Sequence, residues 1–174
     1  MTTSGAPNDS STLAYRDDEH AIVVCQNAVL TYSTNGPSLR FLEAWADTVE
    51  RVVTQFNGPL LAMTIIDKAT KPPSEDSRRA IRNTLERHAA RIDAFAYVVE
   101  GEGFGAAAVR SALSLITLAA RFPFPLKVFG HVEEATPWML SRPSRAETRA
   151  PGVTELMMAA ESLRGHLRSV AATG

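Results

Sequence analysis

The chain has 174 residues, of which 45% are hydrophobic and 21% are charged, and its formal net charge is −1. This length and apolar content are enough for one domain with a hydrophobic core. The near balance of charge argues against a nucleic-acid-binding protein, which usually presents a basic patch. The single cysteine, Cys25, excludes an internal disulfide framework.

The start of the chain and its apolar runs give no sign of targeting to a membrane. Residues 1–12 lack the basic start and apolar core of a secretion signal, and we expect them to form a mobile tail. No apolar stretch reaches the roughly 20 residues that a membrane-spanning helix needs. We therefore expect a soluble, cytoplasmic protein.

The first predicted elements are strands at residues 13–16 and 20–32. Only Asp17, Asp18 and Glu19 separate them, and so short a turn favours antiparallel pairing. Gln26 and Asn27 interrupt the second strand and indicate a bulge or a sharp bend there.

Strands and helices alternate from there on. An amphipathic stripe running to Phe56 predicts a helix, and the apolar run at residues 60–67 predicts a strand buried on both faces. A second helix opens at Ser74, an N-cap candidate, and strands at 93–100 and 126–131 enclose a third helix at 106–121. A short helix ends at residue 140. This alternation predicts an α/β fold with a mixed sheet, whose first strand pair is antiparallel and whose remainder is parallel.

Two features concern the end of the chain. Residues 141–152 read as a polar linker, and residues 153–170 carry the apolar stripe of a C-terminal amphipathic helix. The third helix is apolar nearly all round, which is typical of a helix covered on more than one side. We expect the sheet to cover one side, and the terminal helix or a partner subunit to cover the other.

Polar residues end each of the three later strands. Parallel strands bring their carboxyl ends to one edge, so Asp67, Glu100 and His131 should lie side by side, with Ser74, Glu102 and Glu133 in the loops above them. Such a set could serve in general acid–base chemistry or hold a divalent ion. Alternatively, the strands simply end where polarity begins. We predict no catalytic residues, no metal site and no cofactor.

Residues 101–106 match the pattern G-x-G-x-x-A between a strand and a helix. A dinucleotide-binding loop uses such glycines, but it also needs an acidic residue about 20 positions further on, and none stands there. Glu100 and Glu102 would in addition repel a phosphate. A tight turn that packs the helix on the sheet is the better interpretation.

The order of elements resembles that of STAS (SpoIIAA-like, anti-sigma-factor-antagonist-like) domains. The resemblance covers residues 13–140 and is carried by the runs at 20–32, 60–67 and 93–100 and by the helix opening at Ser74. It implies a non-enzymatic, bacterial-type signalling module whose partner docks after the central strand, classically a kinase-type anti-sigma factor.

In that family, phosphorylation of a serine or threonine at the helix start switches partner binding. The resemblance implies that Asp67, Thr70, Ser74, Ser77 and Arg78 form the partner-binding or switch region of this chain. The partner would be a protein, or a second copy in a homo-oligomer, and not a nucleic acid. The alternative is a small ligand-binding protein or enzyme that uses Asp67, Glu100 and His131, with Glu102 and Glu133 nearby. A third hypothesis is a purely structural role of the terminal helix.

Overall fold

The computed structural model describes residues 11–68, 70, 72–119, 121–142 and 150–171, and of 116–119 and 168–171 only the backbone. Six strands form one sheet in the order of the chain: β1 (Ser11–Arg16), β2 (His20–Cys25), β3 (Ala28–Ser33), β4 (Leu60–Ile66), β5 (Ile92–Val99) and β6 (Leu126–Phe129). β1, β2 and β3 pair antiparallel, while β3, β4, β5 and β6 pair parallel. The predicted mixed α/β sheet is therefore confirmed.

The predicted single strand at residues 20–32 is in fact a hairpin. Cys25 pairs with Ala28, so Gln26 and Asn27 are the two residues of a tight turn. Gln26 adopts the positive φ of 52° that a two-residue hairpin turn demands of its first residue. Neither residue is glycine, which is why the sequence pattern indicated only a bend. The antiparallel part of the sheet thus has three strands. β1 begins at Ser11, two residues before the predicted position, so the expectation of a mobile tail is wrong for residues 11 and 12, and its residues 1–10 lie outside the described part of the chain.

Three helices follow the parallel strands on one face of the sheet. They are α1 (Leu39–Phe56), α2 (Glu75–Arg87) and α3 (Phe104–Ala119). Ser38 caps α1 by accepting the amide of Phe41, and Asn57 ends it with a left-handed φ of 48°. Between α2 and β5 the chain makes a 3-10 turn over Ala89–Arg91, and β5 then begins at Ile92, one residue before the predicted position.

The opposite face of the sheet carries α4 (Val132–Leu140) and α5 (Val153–Ala171). Leu156, Leu163 and Leu167 of α5 pack with Ala21 and Val23 of β2 in one buried cluster. α3 belongs to the other cluster, with Val109 and Leu113. Of the two expected covers for the outer side of α3, the terminal helix is therefore wrong, because the sheet lies between α3 and α5. A partner subunit stays a prediction. Phe104 and Leu115 of α3 are exposed.

Among the described residues, no helix is both long and apolar enough to cross a membrane.

Candidate functional site

The carboxyl ends of the parallel strands meet at one edge of the sheet, as predicted from the sequence. Ile66 pairs with Val99 in neighbouring strands, and the amide of Glu100 donates to the carbonyl of Ile66 at 3.0 Å. Asp67 and Glu100 therefore leave the sheet side by side. His131 follows β6, whose register places it at the same edge.

Asp67 is held by the neighbouring antiparallel part of the sheet. The Tyr32 hydroxyl, near the end of β3, donates to Asp67 Oδ2 at 2.7 Å. The Asp67 amide donates to the carbonyl of Ser33 at 2.9 Å, which folds the start of the loop back over β3. Burial, followed by the hydrogen bond to Asp67, raises the pKa of Tyr32 above its usual value, so its hydroxyl remains a donor at neutral pH.

Glu100 is paired with the C-terminal helix. Arg164 of α5 donates to Glu100 Oε1 through Nε at 3.1 Å and also through Nη2, and its Nη1 bonds Glu161 at 3.0 Å. Burial lowers the pKa of Arg164, but the hydrogen bonds and charges of Glu100 and then Glu161 raise it overall, so the guanidinium stays charged. The Glu100 side chain is only 25% exposed. The charge of Glu100 is therefore balanced by Arg164, a residue of the C-terminal helix outside the predicted domain at residues 13–140.

The remaining residues of the predicted acid–imidazole set lie further out. His131 occupies the N-cap position of α4, where its carbonyl accepts the amides of Glu134 and Ala135 at 3.3 and 3.2 Å. Among the described residues, its imidazole makes no hydrogen bond or ion pair with Asp67 or Glu100. Glu102 and Glu133 are exposed. The structure thus brings Asp67 and Glu100 together at the ends of neighbouring strands, each with its own partners, and shows no bond from His131 to either of them.

The start of α2 lies beside this edge and is open to solvent. Ser74 caps the helix by accepting the amide of Ser77 at 3.1 Å, and the two hydroxyls bond each other at 3.0 Å. A β-carbon on Gly36 would lie 3.9 Å from Ser77 Oγ, so the helix start is close to the loop after β3. The N-cap predicted at Ser74 is confirmed.

The other two residues of the predicted switch region differ in accessibility. Thr70 is only 8% exposed, and its hydroxyl faces the carbonyl of Ser33 at 3.4 Å. Modification of Thr70 would therefore require the loop to open. Arg78 is partly exposed in the first turn of α2. Of the predicted hydroxyl groups, Ser74 and Ser77 are the accessible ones.

Two glycines shape the loop after Glu100. Gly101 and Gly103 have φ of 91° and 88°, values that residues with a side chain rarely adopt. A β-carbon on Gly101 would lie 2.5 Å from that of Lys68. The absence of a side chain at Gly101 therefore lets the loop after β5 approach the loop after β4. The interpretation of 101–106 as a tight turn agrees with this geometry.

A pocket that the sequence did not predict lies between the sheet and the three helices α1, α2 and α3. We call it the helix-side pocket. Its floor is formed by β4 and β5 with Thr64, Phe95 and Tyr97, and its volume is about 70 Å³. Leu42, Ile81 and Thr84 line it and are partly exposed, so it opens between α1 and α2. Thr70 of the predicted switch region also lines this pocket. Amphipathic stripes indicated that these helices cover the sheet, but they carry no signal for how closely the helices pack.

A comparison of the chain with models of known protein families and with curated proteins found no match.

Proposed function

We propose that this chain is a non-enzymatic regulatory module of the STAS type that binds a protein partner next to the carboxyl edge of the sheet. Its docking surface comprises Ser74, Ser77 and Arg78 at the start of α2, together with Asp67 at the end of β4. The order of elements supports the family, and the accessible helix start supports the place of docking. The partner implied by the resemblance is a kinase-type anti-sigma factor, with self-association as the alternative.

One observation carries this proposal. The two carboxylates of the edge already have partners inside the molecule, because Tyr32 donates to Asp67 and Arg164 pairs with Glu100. A catalytic carboxylate or a metal ligand must offer its oxygens to substrate or ion. The hydroxyls of Ser74 and Ser77, by contrast, lie at a helix end open to solvent, where they bond each other and Ser74 accepts the Ser77 amide. This pairing favours a docking surface over the enzyme that uses Asp67, Glu100 and His131.

A phosphate on Ser74 or Ser77 would change this surface through charge. It adds nearly two negative charges. The first turn of α2 already contains Glu75 and Asp76, and Arg79 lies 3.6 and 3.8 Å from their carboxylates. The helix N-terminus attracts a phosphate, whereas the two acids repel it. We propose that phosphorylation of Ser74 or Ser77 weakens the binding of a partner that presents an acidic surface to the start of α2.

The test compares captured partners between variants of the full chain. The double variant Ser74→Asp/Ser77→Asp imitates the added charge and keeps a side chain at position 74 that can cap the helix. Arg78→Glu reverses the charge of the docking surface. Arg51→Glu makes the same charge change on α1, where Arg51 is exposed away from the edge.

We expect the Ser74→Asp/Ser77→Asp and Arg78→Glu proteins to lose a partner that wild type and Arg51→Glu retain. Sedimentation of the same four proteins, each purified, measures whether they self-associate. Recovery of the same partners at the same strength by all four proteins would remove the proposed docking surface.

A further inference from the structure

The floor of the helix-side pocket contains a tyrosine hydroxyl without a partner. Tyr97 of β5 is 4% exposed, and its ring packs against that of Phe95. Within the described part of the chain, its hydroxyl makes no hydrogen bond. Buried tyrosine hydroxyls usually have one, because an unpaired polar group in an apolar environment costs stability. Among the described residues, the Tyr97 hydroxyl is not one of the fully buried unpaired atoms, so it keeps some accessible surface, and a bound molecule with an acceptor atom can take its hydrogen bond.

A second hydroxyl on the same floor is already engaged. Thr31 Oγ1 on β3 donates to Thr64 Oγ1 at 2.9 Å. Thr64 accepts in this bond and keeps a proton of its own, so Tyr97 is one hydroxyl donor among the residues that line the pocket. Burial also raises the pKa of Tyr97, so the hydroxyl keeps its proton at neutral pH.

The walls restrict the charge of an occupant. The lining residues supplied by the described part of the chain include no Asp, Glu, Lys, Arg or His. An ionised carboxylate or phosphate would lose its hydration in such a site without gaining a counter-ion. Phe41, Trp45 and Phe95 instead offer apolar and aromatic faces. The occupant that suits these walls is uncharged.

The dimensions restrict its size. A cavity of about 150 Å³ takes up benzene, whereas the helix-side pocket measures about 70 Å³. One small polar group with part of a ring therefore fills the enclosed part. The rest of the ring would lie in the opening between Leu42 and Ile81, which are partly exposed.

We infer that the helix-side pocket binds a small uncharged molecule made of one apolar ring and a carbonyl oxygen, with the carbonyl accepting a hydrogen bond from Tyr97. This site is separate from Asp67, Glu100 and His131, and it does not depend on the proposed docking surface. It would give the chain a small-molecule function in addition to the proposed protein binding.

Three probes of similar shape separate the contributions of the ring, the carbonyl oxygen and the charge to binding. Acetophenone carries a ring and a carbonyl, ethylbenzene replaces the carbonyl by a methylene group, and benzoate replaces the methyl ketone by a charged carboxylate. Each is titrated into the purified full chain, and the NMR shifts of the methyl groups of Leu42, Ile81 and Val109 report binding. The methyl groups of Leu156 and Leu163, on the other side of the sheet, serve as the internal control.

We expect saturable shifts at the pocket methyl groups with acetophenone, weaker ones with ethylbenzene and none with benzoate. Tyr97→Phe removes only the hydroxyl and should weaken acetophenone binding about tenfold, the factor that corresponds to about 1.4 kcal/mol for one hydrogen bond. It should leave ethylbenzene unchanged. Tyr32→Phe, which removes a hydroxyl on the other side of the sheet, should change neither.

The inference would be overturned by the absence of saturable acetophenone shifts at the pocket methyl groups, or by equal acetophenone binding in wild type and Tyr97→Phe. Binding of benzoate as tight as that of acetophenone would also overturn it. Because the titration contains no protein partner, its outcome is independent of whether the proposed docking surface is correct.

Discussion

Arg164 of α5 binds Glu100, the residue that directly follows β5, across 64 positions of sequence. The pair fixes the second half of the C-terminal helix at the edge where the parallel strands end. The same helix places Leu163, which is fully buried, against the sheet. Apolar packing and an ion pair therefore attach α5 to the sheet face opposite the helix-side pocket.

The packing of α5 predicts a large loss of stability when one of its buried leucines is shortened. Leu163→Ala should lower the free energy of unfolding by about 2–5 kcal/mol, because it removes buried methyl groups and leaves a cavity. Leu115→Ala makes the same change on α3, where the side chain is 62% exposed, and should cost less than about 1 kcal/mol. Urea denaturation followed by circular dichroism measures both values. Equal midpoints for the two variants would show that α5 does not pack as described.

The Glu100–Arg164 pair should contribute measurably to stability. Its two side chains are 25% and 17% exposed, so solvent screens their attraction less than that of a surface pair. A double-mutant cycle with Glu100→Gln and Arg164→Met should give a coupling energy of about 1 kcal/mol.

A surface pair serves as the control for that cycle. Arg79 and Glu75 lie 3.6 Å apart, with side chains 63% and 81% exposed. The same cycle on this pair should give no more than about 0.5 kcal/mol. A coupling energy for Glu100–Arg164 as small as that for Arg79–Glu75 would contradict the description of Glu100 and Arg164 as an ion pair that is largely shielded from solvent.

The sequence predicted the fold well where its signals were local. Continuous apolar runs indicated the parallel strands, and Ser74 indicated where α2 begins. Failures came where the signal was weak or long-range. The hairpin turn at Gln26 uses a positive φ on a residue that rarely adopts one. The position of α5 relative to α3 depends on which sheet face each helix covers, and an amphipathic stripe does not encode that choice.

The same distinction between local and long-range signals applies to the candidate site. Parallel pairing was enough to predict that Asp67 and Glu100 emerge together. Their partners Tyr32 and Arg164 come from other parts of the chain, and spacing gives no indication of such pairs. Tyr97 was missed for a related reason, since it stands in a run that reads simply as a buried strand. Only the packing of three helices shows that its hydroxyl lines a pocket.

The turn between β1 and β2 should make stability depend on pH. Asp17 accepts hydrogen bonds from Tyr15 at 2.7 Å and from the amides of Glu19 and His20 at 2.9 and 2.7 Å. Burial raises the pKa of Asp17, but these bonds and the nearby His20 lower it overall, below the ordinary value of 3.8. The stabilisation is therefore fully present above about pH 4 and is lost as pH falls through the lower pKa of the folded state.

Asp17→Asn tests this pH dependence. It should lower the free energy of unfolding at pH 7 by about 1 kcal/mol, because a neutral amide replaces a charged acceptor of several hydrogen bonds. The difference from wild type should shrink between pH 4 and pH 3. Asp18→Asn, at the exposed neighbouring position, serves as the control. A difference between wild type and Asp17→Asn that stays constant from pH 7 to pH 3 would rule out the carboxylate as its source.

The two glycines after β5 offer a matched pair of substitutions. Both have a positive φ, 91° at Gly101 and 88° at Gly103, so alanine at either position carries a backbone cost of about 1–2 kcal/mol. Only Gly101 also faces a neighbour, because its new β-carbon would lie 2.5 Å from that of Lys68, whereas that of Gly103 meets nothing within 4 Å. Gly101→Ala should therefore lower the free energy of unfolding by clearly more than Gly103→Ala in urea denaturation.

Removing the side chain of Lys68 separates the clash from the backbone strain. In the Gly101→Ala background, Lys68→Gly should restore part of the lost stability, since it removes the β-carbon that the alanine would strike. In the Gly103→Ala background the same change should restore nothing, and the extra glycine should only add conformational freedom to the unfolded chain. Equal costs for the two alanine variants, with no rescue by Lys68→Gly, would mean that the loops after β4 and β5 do not approach each other.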